Sequence, residues 1–128
     1  MAQILIIEDS MYQRNRICKA LNKEGYELLE AANGQEGLDM LLAHHPDCIL
    51  LDLVMPEVSG LDVLQTLADR DVNIPVIVHT SDIQDTTREH CLALGAVAFL
   101  NKPLKENELL AAINQALGSQ DGEREDAR

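Results

Sequence analysis

Only Tyr12, Tyr26 and Phe99 carry a phenyl-type ring, and Trp is absent from all 128 residues. The core must therefore be built from Leu, Ile, Val and Ala, and a hydrophobic content of 46% supplies enough of them. Bases are scarce as well: Lys and Arg number 10 against 22 Asp and Glu, for a net charge of −12. That deficit argues against direct nucleic-acid binding, because phosphate contacts need Lys and Arg. It also disfavours anionic membrane surfaces. The last ten residues supply only −2 of this charge, so the acidity belongs to the body of the chain. Cys18, Cys48 and Cys91 are odd in number, far apart and free of any Cys-x-x-Cys spacing. Neither a zinc site nor a disulfide framework is indicated, and each reads as a reduced core thiol. There is no basic leader and no long apolar segment. Membrane insertion is not expected, and the expected location is the cytoplasm.

What is present is a regular alternation. Ile4–Ile7 is a short apolar run of strand type, ended by Glu8-Asp9-Ser10. A helix is predicted over about Met11–Glu24, with Ile17, Ala20 and Leu21 inward and Arg14, Lys19 and Lys23 outward; Gly25 stops it. Tyr26–Ala31 reads as a second strand. Asn33-Gly34 opens a second helix with Leu38, Leu41 and Leu42 on its apolar face, and His44-His45-Pro46 closes it. Cys48–Asp52 is an apolar run that ends abruptly in a carboxylate, as expected of a strand buried on both faces. Leu61, Leu64 and Ala68 mark a third helix. Val76–Thr80 is a fourth strand, Gln84–Leu94 a fourth helix, Val97–Leu100 a fifth strand and Lys105–Leu117 a fifth helix. Five strands alternating with five helices predict an α/β fold with a parallel sheet and helices on both faces. One domain is expected over residues 1–118, with a polar, aperiodic and disordered tail over 119–128.

In such a sheet, ligands bind at the carboxyl ends of the strands. Glu8 and Asp9 end the first strand, Asp52 the third, Thr80 the fourth, and Lys102 follows the fifth. Neighbouring strands lie about 4.8 Å apart, so these groups can converge. Three carboxylates together repel one another, and a hard divalent cation such as Mg²⁺ relieves the conflict. A carboxylate so placed can attack phosphorus and form an aspartyl phosphate. Thr80 can donate to a phosphoryl oxygen, and Lys102 can neutralise another.

Four segments in order carry a resemblance to the receiver domain of two-component response regulators. They are Ile4-Leu-Ile-Ile-Glu8-Asp9-Ser10, Leu50-Leu-Asp52-Leu-Val-Met-Pro56-Glu-Val-Ser-Gly60, Pro75-Val-Ile-Val-His-Thr80-Ser81 and Gly95-Ala-Val-Ala-Phe99-Leu-Asn-Lys102-Pro103. The likeness spans about Gln3 to Leu117. It implies a flavodoxin-like, doubly wound (βα)5 sheet with strand order 2-1-3-4-5 and a cis Lys102–Pro103 peptide bond. It further implies Asp52 as phosphoacceptor, and a Mg²⁺ site (with Mn²⁺ as a substitute) made by Glu8, Asp9, Asp52 and the Val54 carbonyl. Thr80, Lys102 and Phe99 would be the catalytic and switch residues.

The expectation is a stand-alone response regulator receiver. It would accept a phosphoryl group from a sensor histidine kinase or a histidine phosphotransfer protein. It would then signal to a downstream protein through the surface of the fourth helix, fifth strand and fifth helix, or pass the phosphoryl group onward. Residues after Gly118 are too few and too polar to fold as an output module. A homodimer through the fourth and fifth helices stays open, as do the kinase and the pathway. One rival is a phosphohydrolase with an aspartyl intermediate. Such haloacid-dehalogenase-like enzymes carry a second Asp two residues after the nucleophile, where this chain has Val54. The other rival is an interaction module of the same fold that is never phosphorylated, against which the complete set of Glu8, Asp9, Asp52, Thr80 and Lys102 speaks. Val54, Ser81 and Asp82 are expected to tune how long the phosphoryl group persists. His79 is expected to point away from Thr80 as a hydrogen-bonded structural residue. His44 and His45 are expected at the surface, and nothing in the sequence assigns a task to His90.

Overall fold

The computed structural model describes residues 2–126, with side chains described over 2–118. The elements are β1 (Gln3–Ile7), α1 (Met11–Asn22), β2 (Glu27–Ala31), α2 (Gly34–His44), β3 (Cys48–Asp52), α3 (Gly60–Asp69), β4 (Val76–Thr80), α4 (Asp85–Ala93), β5 (Ala98–Asn101) and α5 (Glu106–Asp126). All strand pairs are parallel, in the order β2-β1-β3-β4-β5. This is the flavodoxin-like doubly wound arrangement that the alternation and the resemblance imply.

Side-chain alternation along each strand sorts the core into two layers. Leu5 and Ile7, Ile49 and Leu51, and Val76 and Val78 face α2, α3 and α4, where Leu41, Val63, Leu64, Leu67 and Cys91 meet them. Ile4 and Ile6, Cys48 and Leu50, and Ile77 face α1 and α5, against Ile17, Leu21, Leu109 and Ile113. The core is aliphatic, and all three cysteines are buried and unbridged. The layer under α1 and α5 matters most for the site. Continuing its parity past the apolar residues leads to Glu8, Asp52, His79 and Lys102.

Local chemistry fixes where the helices begin. The Ser10 hydroxyl accepts the Gln13 N–H, and the Asn33 side chain accepts the Glu36 N–H. Ser59 and Asp62 form a reciprocal capping box at the start of α3. Gly60 is required there: a Cβ would lie 2.5 Å from the Asp52 carbonyl oxygen and 2.6 Å from Leu53 Cα. The third helix therefore presses its first residue against the end of β3.

Four expectations change in detail. Leu42 is 54% exposed, because α2 buries Gly34, Gly37 and Leu41 instead. Ala68 is exposed, and α3 buries Val63, Leu64 and Leu67. Arg14 folds back rather than outward: Nη1 donates to the Glu8 carbonyl at 2.7 Å and Nε to Glu30 Oε1 at 3.2 Å. The fifth strand starts at Ala98, one residue later than its apolar run suggests. The tail expected over 119–128 falls on side chains outside the described residues, and the backbone continues α5 to Asp126.

Candidate phosphoacceptor pocket

Glu8 is 0% exposed and Asp52 is 1% exposed. Two carboxylates at that depth need a cation. Lys102 supplies it: Nζ donates to Glu8 Oε1 at 3.1 Å and to Asp52 Oδ1 at 3.1 Å. The lysine follows β5, and its peptide bond to Pro103 is cis. The Ser10 N–H donates to Glu8 Oε2 at 2.9 Å, so both Glu8 oxygens are engaged. The Val54 N–H donates to Asp52 Oδ1 at 3.3 Å.

One ammonium does not balance two carboxylates, and the ionisation behaviour reflects this. Burial, and then the Glu8 charge, push the Asp52 carboxyl up to about 7, against the pull of Lys102. Burial works against the Lys102 ammonium, but the hydrogen bond and charge of Asp52, with Glu8 behind them, hold it above its ordinary value.

Thr80 ends β4 on the opposite face of the sheet and is fully buried. Its Oγ1 accepts the Asp82 N–H at 3.1 Å. Asp82 is in turn tied to α4, for Oδ1 accepts the Gln84 N–H at 2.9 Å and Oδ2 accepts the Thr87 hydroxyl at 2.8 Å. These bonds, the Gln84 N–H first, hold the Asp82 carboxyl below its ordinary value. Phe99 is half-buried against the α2–α4 layer and pairs in register with Val78. Val54 and Ser81 are exposed. Asp9 is exposed too, and it lies outside the three-residue cluster that could share one ion among the described residues, which is Glu8, Asp52 and His79.

His79 is the residue whose surroundings sequence reasoning missed. It points away from Thr80 as expected, but that face is the one carrying Asp52, its register partner. The ring is 0% exposed, Nδ1 lies 3.8 Å from Glu8 Oε1, and neither ring nitrogen has a hydrogen-bond partner. The expectation of a hydrogen-bonded structural histidine is therefore corrected. Burial, and then the Lys102 charge, lower its pKa to about 3, so the imidazole is neutral at ordinary pH. The signal was in the parity: residue 79 lies two beyond Ile77 on β4, and residue 52 two beyond Leu50 on β3, with Ile77 and Leu50 paired. His44, His45 and His90 are exposed.

The carboxylate side of the pocket fits a hard divalent cation on its own chemistry. Glu8 and Asp52 offer carboxylate oxygens that carry more negative charge than Lys102 neutralises, and burial and then the Glu8 charge raise Asp52.

Comparison with known proteins agrees with this geometry. The family model described as "Response regulator receiver domain" matches residues 4–114. Protein PilH of Pseudomonas aeruginosa is 36% identical over 119 residues, covering 91% of this chain and 98% of that protein. The polar-differentiation response regulator DivK of Brucella anthropi is 34% identical over 117 residues, covering 90% of this chain and 95% of that protein. A CheX–CheY–BeF3–Mg complex from Borrelia burgdorferi superposes with a TM-score of 0.85 at 26% identity, covering 89% of this chain and 87% of that one.

Proposed function

Because the chain belongs to the response regulator receiver domain family of two-component signalling, we propose that it accepts a phosphoryl group from a phosphohistidine onto Asp52. The observation that carries this reading is the Lys102 ammonium, 3.1 Å from Asp52 Oδ1 and from Glu8 Oε1, with both carboxylates buried. Asp52 is a buried carboxylate with a free edge, and Lys102 is positioned to follow negative charge onto whatever Asp52 becomes.

In the proposed step an Asp52 carboxylate oxygen attacks phosphorus. The donor imidazole is protonated at its other ring nitrogen; the P–N bond breaks, its electron pair returns to the ring nitrogen, and the donor leaves as neutral imidazole. The product is an acyl phosphate on Asp52. Lys102 turns from the carboxylate pair toward a phosphoryl oxygen, and the Thr80 hydroxyl donates to another. Such transfer is driven mainly by positioning and charge neutralisation. Mg²⁺, or Mn²⁺ in its place, would be held by Asp9, Asp52 and the Val54 carbonyl with Glu8 behind them, and would neutralise phosphoryl charge there. The Borrelia CheY complex contains BeF3 and Mg, which supports this reading.

Output follows from Thr80. As Thr80 shifts toward a phosphoryl group its hydroxyl would draw away from the Asp82 N–H that it accepts, loosening the segment that Asp82 ties to α4. Phe99 then moves with the space vacated, and the α4-β5-α5 surface changes toward a downstream protein partner. This is a local charge event that biases a two-state element. Asp52 is thus read as a signalling phosphoacceptor rather than a turnover enzyme, in a chain in which no helix among the described residues is long and apolar enough to cross a membrane.

The test is labelling with a small-molecule acyl phosphate and Mg²⁺, read by intact-mass spectrometry and peptide mapping. A single adduct on Asp52 is expected, and none in Asp52→Asn. Equal labelling of that variant would overturn the assignment.

A further inference from the structure

His79 is a buried polar ring with no partner, and the pocket beside it holds unbalanced negative charge. On β4 it stands level with Asp52 of β3, and its Nδ1 lies 3.8 Å from Glu8 Oε1. A carboxylate oxygen from Glu8, one from Asp52 and a ring nitrogen of His79 all lie within 4.8 Å of one another. Two ligand atoms on one ion can be no more than roughly 4.4 Å apart, twice a metal–ligand distance of about 2.2 Å. Small side-chain rotations therefore close the set.

We propose that this face of the pocket is a second cation site, held by Glu8, Asp52 and His79 and selective for a first-row transition ion over Mg²⁺.

Three observations lead there. The first is that a cation already occupies the spot, for Lys102 Nζ sits 3.1 Å from each carboxylate oxygen. Lys102 enters from the pocket mouth, with its side chain 15% exposed, so it can swing out as an ion enters. The second is charge. Two buried carboxylates against one ammonium leave a deficit of one positive charge, whereas a divalent ion in place of Lys102 closes it. The third is donor type. Mg²⁺ takes oxygen ligands in near-octahedral geometry and keeps several waters. A buried neutral imidazole is a poor match for that and a good one for Co²⁺, Ni²⁺, Zn²⁺ or Fe²⁺. An ion bonded to one nitrogen would also satisfy a group that now has no partner at all.

This site is distinct from the Mg²⁺ site proposed above, which relies on the exposed Asp9 and the Val54 carbonyl and makes no use of His79. The two share Asp52 and Glu8. If the phosphoacceptor reading holds, an ion on the His79 face also displaces Lys102 from its post and slows phosphoryl transfer.

The test uses the full chain, stripped of metal, with metal salts alone and no phosphodonor. Its failure therefore leaves the phosphoacceptor assignment standing. Calorimetric titration should give one Co²⁺ bound at least about tenfold more tightly than Mg²⁺, with visible absorption bands from a nitrogen-bearing ligand set. His79→Val places a β-branched residue, favoured on strands, at this position. It should lower Co²⁺ affinity by about tenfold or more and leave Mg²⁺ affinity within about twofold. Pulsed electron paramagnetic resonance of the unmutated protein with one equivalent of Co²⁺ should show coupling to a ring nitrogen, which needs no variant to fold. The combined variant His44→Gln, His45→Gln and His90→Gln should retain Co²⁺ binding. An unchanged Co²⁺-to-Mg²⁺ ratio in His79→Val, absent nitrogen coupling, or Co²⁺ binding lost with the surface histidines would each overturn the proposal.

Discussion

The Thr80 hydroxyl accepts the backbone N–H of Asp82 at 3.1 Å, and this one bond ties the end of β4 to the start of α4. Asp82 completes the link by accepting from Gln84 N–H and the Thr87 hydroxyl. Asp82→Ala should free the turn without touching the core. Amide hydrogen exchange should rise at Gln84 through Arg88, while the global melting temperature changes little. Unaltered exchange in that segment would mean that the tie does not hold the turn.

Asp52 carries a carboxyl raised to about 7 from 3.8, so the folded state binds its proton more tightly than the unfolded chain. The sign follows: the stabilising contribution is full below about pH 4 and is lost as pH rises through about 7. Asp52→Asn removes that loss. The variant should be more stable than the unmutated chain at pH 8, by about 1–3 kcal/mol, the scale of a poorly compensated buried polar group. The gap should shrink toward pH 5. Denaturant melts at the two pH values measure it, and an advantage that grows on acidification would contradict the ionisation described here.

Lys102→Ala should act in the opposite sense. Glu8 and Asp52 would then face each other with no cation between them. A loss of about 2–4 kcal/mol is expected at pH 8, in the range seen when one partner of a buried pair is removed. Millimolar Mg²⁺ should restore part of it, because an ion that binds only the folded state stabilises by mass action. Chelating the metal should abolish the rescue. Full stability of the variant without metal would show that Lys102 does not hold the pocket together.

Much of this could be seen in the sequence, and the reason is physical. Every strand except β2 is an apolar run whose last or next residue is charged or polar, so the sheet edge is marked by composition. That was enough to place Glu8, Asp52, Thr80 and Lys102 at one edge. It was not enough for His79, because facing away from Thr80 says nothing until the strand order decides what lies on the other face. Arg14 misled for a different reason. Its helical position is peripheral, but its long side chain reaches back over the ends of β1 and β2 to Glu8 and Glu30. Leu42 and Ala68 were assigned inward by periodicity alone, although the glycines at 34, 37 and 60 let α2 and α3 approach the sheet along a different stripe.

Gly60 sets the approach of α3 to the end of β3. A methyl group there would meet the Asp52 carbonyl oxygen at 2.5 Å and Leu53 Cα at 2.6 Å, both backbone atoms that cannot rotate aside. Gly60→Ala should cost about 1–3 kcal/mol through overpacking. It should also slow labelling of Asp52, since the end of β3 must shift. A variant that melts and labels like the parent would show that the helix start yields freely.

Under the proposed function, the lifetime of the phosphoryl group is the remaining quantity to predict. Hydrolysis needs a water in line with the Asp52–phosphorus bond. Three side chains border its approach in the proposed pocket: Val54, Ser81 and Asp82. Val54 is 67% exposed at the mouth and has no group that could orient a water. Asp82, the obvious alternative, has one carboxylate oxygen on the Gln84 N–H and the other on the Thr87 hydroxyl. Its charge would also oppose the approach of more negative charge. Ser81 is larger than the Ala or Gly that receivers commonly place there and, in the proposed pocket, would narrow the path. The acyl phosphate should therefore decay slowly compared with receivers that carry a polar amide at the position of Val54. Val54→Asn should accelerate loss severalfold, on the order of 1 kcal/mol of barrier, because an amide at the pocket mouth can hold the water that Val54 cannot. The measurement is the decay of Asp52 phosphate with Mg²⁺ present and no partner protein. A faster rate in the variant supports the role of Val54, and an unchanged or slower rate removes it as the cause.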